Sequence, residues 1–195
     1  MAIDDKLLWY ATRGAGLVSL VLLTAVMVLG LLSRLRVERP SLPRFVTAGL
    51  HRNISLLAVI FLALHIVTAA VDPFTHLGLT TAVIPFGSYY KTFWLGLGTV
   101  SFELMVALVV TSLLRAHISA AVWRTLHWLA YASWPTAVVH GLGTGTDALA
   151  VWSIAVTVVC VTVVLSVGIW RLAAAPVDPL IAAKRRVTAG RGARV

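Results

Sequence analysis

Four of the six histidines, His51, His65, His127 and His140, fall inside apolar stretches, in two pairs of nearly equal spacing. The first two are 14 residues apart and the second two 13. Imidazoles in a bilayer are costly, and such groups mark functional sites. Neutral imidazole ligates iron well, and two imidazoles fill both axial positions of a haem. With the pairs on two parallel helices, each helix would supply one ligand to each of two stacked haems. Iron held this way has no free site for oxygen, and electrons pass through the macrocycle edge. A zinc or copper path also uses histidine. Its ligands would converge within a few ångströms, whereas these spread over about 20 Å of helix.

The spacing sets the geometry. At about 100° per residue, 14 residues bring His65 back to within roughly 40° of His51, some 21 Å along the axis. Ala58 lies midway on the same side, small enough to let flat groups pack close. The second pair is less regular: 13 residues leave His140 about 140° from His127 on a straight helix. That helix must be distorted, or the haems offset. Trp134-Pro135 lies between the two histidines, and proline kinks helices by removing a backbone hydrogen bond.

The elements that must carry these residues are membrane spans. The chain has 195 residues, of which 59% are hydrophobic and 12% charged, more apolar surface than a soluble domain can bury. Five spans are expected, over Leu7–Leu32, Ile54–Val71, Phe93–Leu114, Val122–Val139 and Leu149–Leu172. The second and fourth should extend past their apolar cores to include His51 and His140. The fold class is therefore all-α, an integral membrane bundle of about five helices. Residues 1–175 are read as the haem-carrying domain. Residues 176–195 are read as a basic, loosely ordered tail suited to anionic lipid headgroups.

Charge placement gives the orientation. Arg34, Arg36, Arg39, Arg44 and Arg52 crowd the first loop, Arg115 and Arg124 the third, and five Lys and Arg residues the tail. The second and fourth loops carry little positive excess. The positive-inside rule then puts the N-terminus outside and the C-terminus in the cytoplasm of a bacterial plasma membrane. The same placement accounts for the net charge of +9 without nucleic acid. The second and fourth spans run parallel, so His51 is level with His127 on the cytoplasmic side. His65 is level with His140 on the outer side. The acidic N-terminus does not read as a cleaved signal peptide. Cys160, the single cysteine, excludes an internal disulfide and a cysteine-ligated cluster; it reads as a small buried residue. The turn-rich stretch around Ile84–Tyr90 is expected to fold back as a cap at the outer interface.

Further residues bear on cofactor binding. Arg52 and Arg124 suit the propionates of an inner haem, and the orientation rule explains them equally well. Arg13 lies in the first apolar stretch near the outer face, where that rule calls for no cation, and suits an outer-haem propionate; snorkelling is its alternative. Trp134, seven residues after His127, sits either between the two haems or in the packed core. Glu103 is the one acid deep in a span, where an unpaired charge is costly. His76 and His117 read as solvated loop residues. Asp72, His76 and Asp147 carry a weak signal for attracting a cation on the outer side. No residue is assigned a catalytic role of its own.

The segments His51-Arg52-Asn53-Ile54-Ser55-Leu56 to Leu64-His65, and His127-Trp128-Leu129-Ala130 to Val139-His140-Gly141, resemble those of the ferric reductase-like transmembrane superfamily. This superfamily includes NADPH oxidases, yeast ferric reductases and bacterial haem-b membrane subunits. The resemblance covers roughly residues 9–172. It implies two b-type haems held by His51, His65, His127 and His140, and an oxidoreductase moving electrons across the membrane. The oxidases and yeast reductases carry six spans and a fused flavin–nicotinamide domain. This chain shows five spans and no Rossmann fingerprint, so a separate flavoprotein is the implied donor. The implied acceptor is extracytoplasmic: ferric iron, a flavoprotein or dioxygen. A quinol-linked cytochrome b subunit, with Glu103 anchoring the quinone, is the alternative. A haem-free metal or proton-coupled transporter is a third.

Overall fold

The computed structural model describes residues 5–34, 44–73 and 77–173. They form helices α1 (Asp5–Arg34), α2 (Arg44–Val71), α3 (Thr92–Leu113), α4 (Ala120–His127), α5 (Ala130–Thr144) and α6 (Val151–Ala173). Short 3₁₀ turns occupy Leu79–Ala82 and Leu114–Ala116. Among the described residues there is no strand, as a bilayer demands of a chain that cannot close a barrel. His76, and the tail beyond Ala173, lie outside the described residues.

Four helices, α1, α2, α3 and α6, are long and apolar enough to cross a membrane unaided, with mean hydropathies of 2.0 to 2.6. The chain is thus an all-α, multi-pass membrane bundle. The remaining expected span is built from two pieces, α4 and α5, and runs from Ala120 to Thr144. Ser119 starts it, its Oγ accepting the Val122 N–H at 3.3 Å. The second and fourth spans do extend to take in His51 and His140.

The distortion expected in the fourth span is present, but not at Pro135. That residue sits inside α5, and the break lies at Trp128–Leu129. There the backbone tightens. Trp128 N–H bonds to Thr125 O, Leu129 to Leu126, Tyr131 to Trp128 and Ala132 to Leu129. Each is a three-residue bond, the 3₁₀ pattern, with about 120° of turn per residue instead of about 100°.

The closest helix partners are α1 with α2 and α3 with α5, and α1 also meets α6. The core is thin. Leu23, Met27 and Leu31 of α1, Ala58 of α2, Trp134 and Val138 of α5 and Cys160 of α6 form its buried cluster. Ala58 is 2% exposed. Outward faces such as Leu56, Ile60 and Val67 on α2 remain exposed, as lipid-facing residues should. Buried hydroxyls find acceptors inside the bundle. Ser19 bonds to Ala15 O, and Thr157 to Ser153 O. Ser101 and Ser133 exchange hydroxyl-to-carbonyl bonds of 2.8 and 3.1 Å across α3 and α5.

The loop between α2 and α3 folds back over the bundle. Thr99 on α3 donates to Thr81 O at 2.7 Å. The Phe86 ring lies directly on Gly96 of α3, where no side chain would fit. Lys91 reaches across to the end of α5, its Nζ donating to Gly143 O and Thr144 O at 2.9 and 3.3 Å. A cation there complements the carbonyl-rich helix C-terminus.

Candidate functional site

The fold brings the four histidines into two facing pairs, one near each end of the bundle. His51 of α2 faces His127 of α4, with ring centroids 6.3 Å apart and planes inclined by 60°. His65 of α2 faces His140 of α5, also at 6.3 Å, with planes at 80°. These are the pairs expected from parallel second and fourth spans. The equal separation is chemically informative. A metal–imidazole bond is about 2.0 Å, and a ring centre lies roughly 1 Å behind its nitrogen. Two imidazoles gripping one ion from opposite sides therefore have centres roughly 6 Å apart.

Two hydrogen bonds fix the chemistry of the His65–His140 pair. His65 Nδ1 lies 2.8 Å from Thr12 O of α1, and His140 Nδ1 lies 2.9 Å from Trp94 O of α3. A carbonyl only accepts, so each Nδ1 carries a proton, and in the neutral imidazole Nε2 then keeps its lone pair. This is how proteins orient metal-binding histidines and raise their basicity. The sequence could not reveal either acceptor, because both are backbone groups. At the other pair, His51 lies beside the Val26 backbone of α1. The His127 ring stacks on Trp123, with centroids 4.8 Å apart and planes at 23°.

Glycines let the neighbouring helices reach the imidazoles. A Cβ on Gly16 of α1 would come within 2.9 Å of the His65 ring, and one on Gly98 of α3 would collide outright with the His140 ring. A Cβ on Gly30 would meet the His51 ring at 3.6 Å, an ordinary contact. Gly16 and Gly30 are 14 residues apart on α1, the spacing of the histidines they face on α2. That matched spacing is readable in the sequence.

His65 and His140 line a cavity of about 170 Å³. Leu20, Leu62 and Phe102 line it, Ser101 and Thr99 add hydroxyls, and Arg13 stands at its edge. Arg13 is committed to a protein partner: its guanidinium forms an ion pair with Asp147. It also lies on the backbone of Gly145, where any Cβ would collide with it.

The remaining expected residues lie in differing surroundings. Arg52 and Arg124 are exposed, close in sequence to His51 and His127. Trp134 is buried in the same cluster as Ala58, between the levels of the two pairs, and its indole N–H donates to Thr24 Oγ1 at 3.0 Å. Glu103 is exposed on α3 and is not part of the cavity wall. Asp72 is buried and His117 exposed.

Among the described residues no three His, Cys, Asp or Glu side chains converge on a metal position. Zinc sites draw three or four ligands from the protein. Two imidazoles per site instead suit a metal that brings its own equatorial ligands, as haem iron does.

The sequence model for the ferric reductase like transmembrane component matches residues 15–138. The match contains His51, His65 and His127 and stops two residues short of His140. No curated protein and no solved structure matches the chain.

Proposed function

We propose, since the chain belongs to the family of ferric reductase-like transmembrane components, that it is a two-haem b-type cytochrome carrying electrons across the bacterial plasma membrane. The family assigns it to transmembrane electron transfer and to oxidoreductase chemistry in general. The finer reading rests above all on one observation. Two histidine pairs, each 6.3 Å apart, are set near the two ends of one bundle.

Bound haem would supply one-electron chemistry at each pair. The protein does the rest. His51 and His127 would hold the inner group, and His65 and His140 the outer one. The Thr12 and Trp94 carbonyls lock the outer imidazoles with Nε2 available. Gly16 and Gly98 let α1 and α3 close around those imidazoles. Ala58 and Trp134 fill the space between the two levels and keep it dry. Arg52 and Arg124 offer cations for the inner propionates. Arg13 could serve an outer propionate only by sharing its charge with Asp147.

In this reading the N-terminus is outside and the C-terminus cytoplasmic. A separate flavoprotein donates at the arginine-rich inner face, and the acceptor is extracytoplasmic. The quinol-linked alternative draws no support from Glu103, which stands outside the cavity.

The test is the haem content and spectrum of the full-length protein, expressed with haem supplementation and purified in detergent. The expected result is low-spin b-haem, reducible by dithionite, at about two per chain. Replacing any one of the four histidines by alanine should remove roughly one haem. His51→Ala and His127→Ala should leave the same residual spectrum, and His65→Ala and His140→Ala the other. Colourless wild-type protein would end this reading.

A further inference from the structure

At the His51–His127 pair an aromatic ring, that of Trp123, bears directly on one imidazole. The indole of Trp123 stacks on His127. The Arg115 guanidinium lies 4.5 Å from the centre of the same indole. The indole Nε1 is buried and makes no hydrogen bond. Buried indole N–H groups normally find a partner, so this ring is held through its faces and not by its edge. The three residues come from consecutive pieces of one corner. Arg115 belongs to the 3₁₀ turn that ends α3, and Trp123 and His127 lie one turn apart on α4. At the opposite pair, backbone carbonyls orient both imidazoles.

We infer that Trp123, held by Arg115, is a positioning residue for His127. It sets the plane of that imidazole and thereby the electronic character of the inner haem. The inference rests on the two-haem reading and adds a residue to it. Trp123 meets no reacting atom; it acts through the ligand. The reason is geometric. An imidazole bound to iron can rotate about the metal–nitrogen bond unless something holds its plane. A ring stacked at 4.8 Å and 23° resists that rotation, as a hydrogen bond to Nδ1 does elsewhere. The plane of each axial imidazole, relative to its partner, fixes the orbital splitting of low-spin ferric iron. The nearby guanidinium favours the reduced, more electron-rich state of the same centre.

The experiment uses haem-loaded, full-length protein in detergent. Electron paramagnetic resonance of the ferric state gives the low-field g value of each haem, and a potentiometric titration gives each midpoint. Trp123→Leu removes the aromatic face. Trp123→Phe keeps a flat face and removes the N–H. The expected result is that Trp123→Leu moves the g value and midpoint of one haem, the one that His127→Ala removes. Trp123→Phe leaves both haems close to wild type. Unchanged signals in Trp123→Leu would overturn the inference, as would equal shifts of both haems. So would a Trp123→Phe protein as altered as Trp123→Leu.

Should Trp123→Leu not assemble, Arg115→Gln decides from the exposed side of the stack. It should lower the midpoint of that same haem, and an unmoved midpoint overturns the inference. Wild-type protein without haem would bring down the two-haem reading first and this inference with it, so the two failures are distinguishable.

Discussion

A graded series of glycine-to-alanine substitutions tests how the helices close on the imidazoles. At Gly98 an added methyl would collide with the His140 ring. That ring cannot simply turn aside, because its Nδ1 is tied to Trp94 O. Either α3 backs away or the hydrogen bond breaks. Overpacking of this kind costs about 1–3 kcal/mol, and the lost bond about 1 kcal/mol more. At 1.4 kcal/mol per tenfold, a total of roughly 2–4 kcal/mol weakens binding at that pair by about 30- to 1000-fold. At Gly16 the methyl would sit 2.9 Å from the His65 ring, so a smaller adjustment relieves the contact at a cost of about 1–2 kcal/mol. At Gly30 the 3.6 Å contact with His51 is ordinary. There the better helix propensity of alanine, worth about 1 kcal/mol, makes the change neutral or favourable. Gly14, with nothing near it, is the control. The assay is haem per chain by pyridine haemochrome, with the spectrum showing which haem is lost. The expected order of loss is Gly98→Ala, then Gly16→Ala, with Gly30→Ala and Gly14→Ala like wild type. Equal losses at all four positions, or loss of the His51–His127 haem in Gly98→Ala, would refute the reasoning.

Other outcomes follow from the same structure. Arg13 and Asp147 are mostly buried, so Asp147→Asn should destabilise the protein by about 1–3 kcal/mol. In a double-mutant cycle with Arg13→Gln, read by thermal melting in detergent, additive effects would mean the pair is not coupled. Trp134→Phe loses the N–H bond to Thr24 and should cost about 1 kcal/mol. Trp134→Ala opens the core between the two levels and should cost about 3–5 kcal/mol; equal melting points for the two variants would count against that packing. Fusion reporters test the orientation: a C-terminal fluorescent protein should glow, and a C-terminal alkaline phosphatase should be inactive. The opposite pattern reverses inner and outer.

Much of this arrangement was legible in the chain because helical periodicity and membrane thickness leave few options. His51 and His65 share a side of α2 by spacing alone, and parallel second and fourth spans dictate their partners. Other features were hidden for definite reasons. The acceptors for His65 and His140 are main-chain carbonyls of Thr12 and Trp94, which no residue type announces. Arg13 read as a cation free for a propionate. Its partner, Asp147, is 134 residues away, and only the packing of α1 against the turn before α6 brings the two together. Trp123 stands four residues before His127, the spacing at which helical side chains meet, so its contact is one the chain does announce.

The fourth span shows why the two pairs can match despite unequal spacing. On α2, 14 residues at about 100° and 1.5 Å each give roughly 1400° of turn and 21 Å of rise. Thirteen regular residues give roughly 1300° and 19.5 Å, short on both counts. Each residue wound as 3₁₀ adds about 20° of turn and about 0.5 Å of rise. Some five such residues then recover the missing 100° and bring the rise to about 22 Å, within about 1 Å of α2. The three-residue bonds between Thr125 and Ala132 supply a stretch of about that length. One local change therefore corrects azimuth and height together, since overwinding a helix also lengthens it. Proline could not have done this, because a kink tilts the axis without adding turn. The tightened turn at Trp128–Leu129 is what lets His140 meet His65 at the same 6.3 Å at which His127 meets His51.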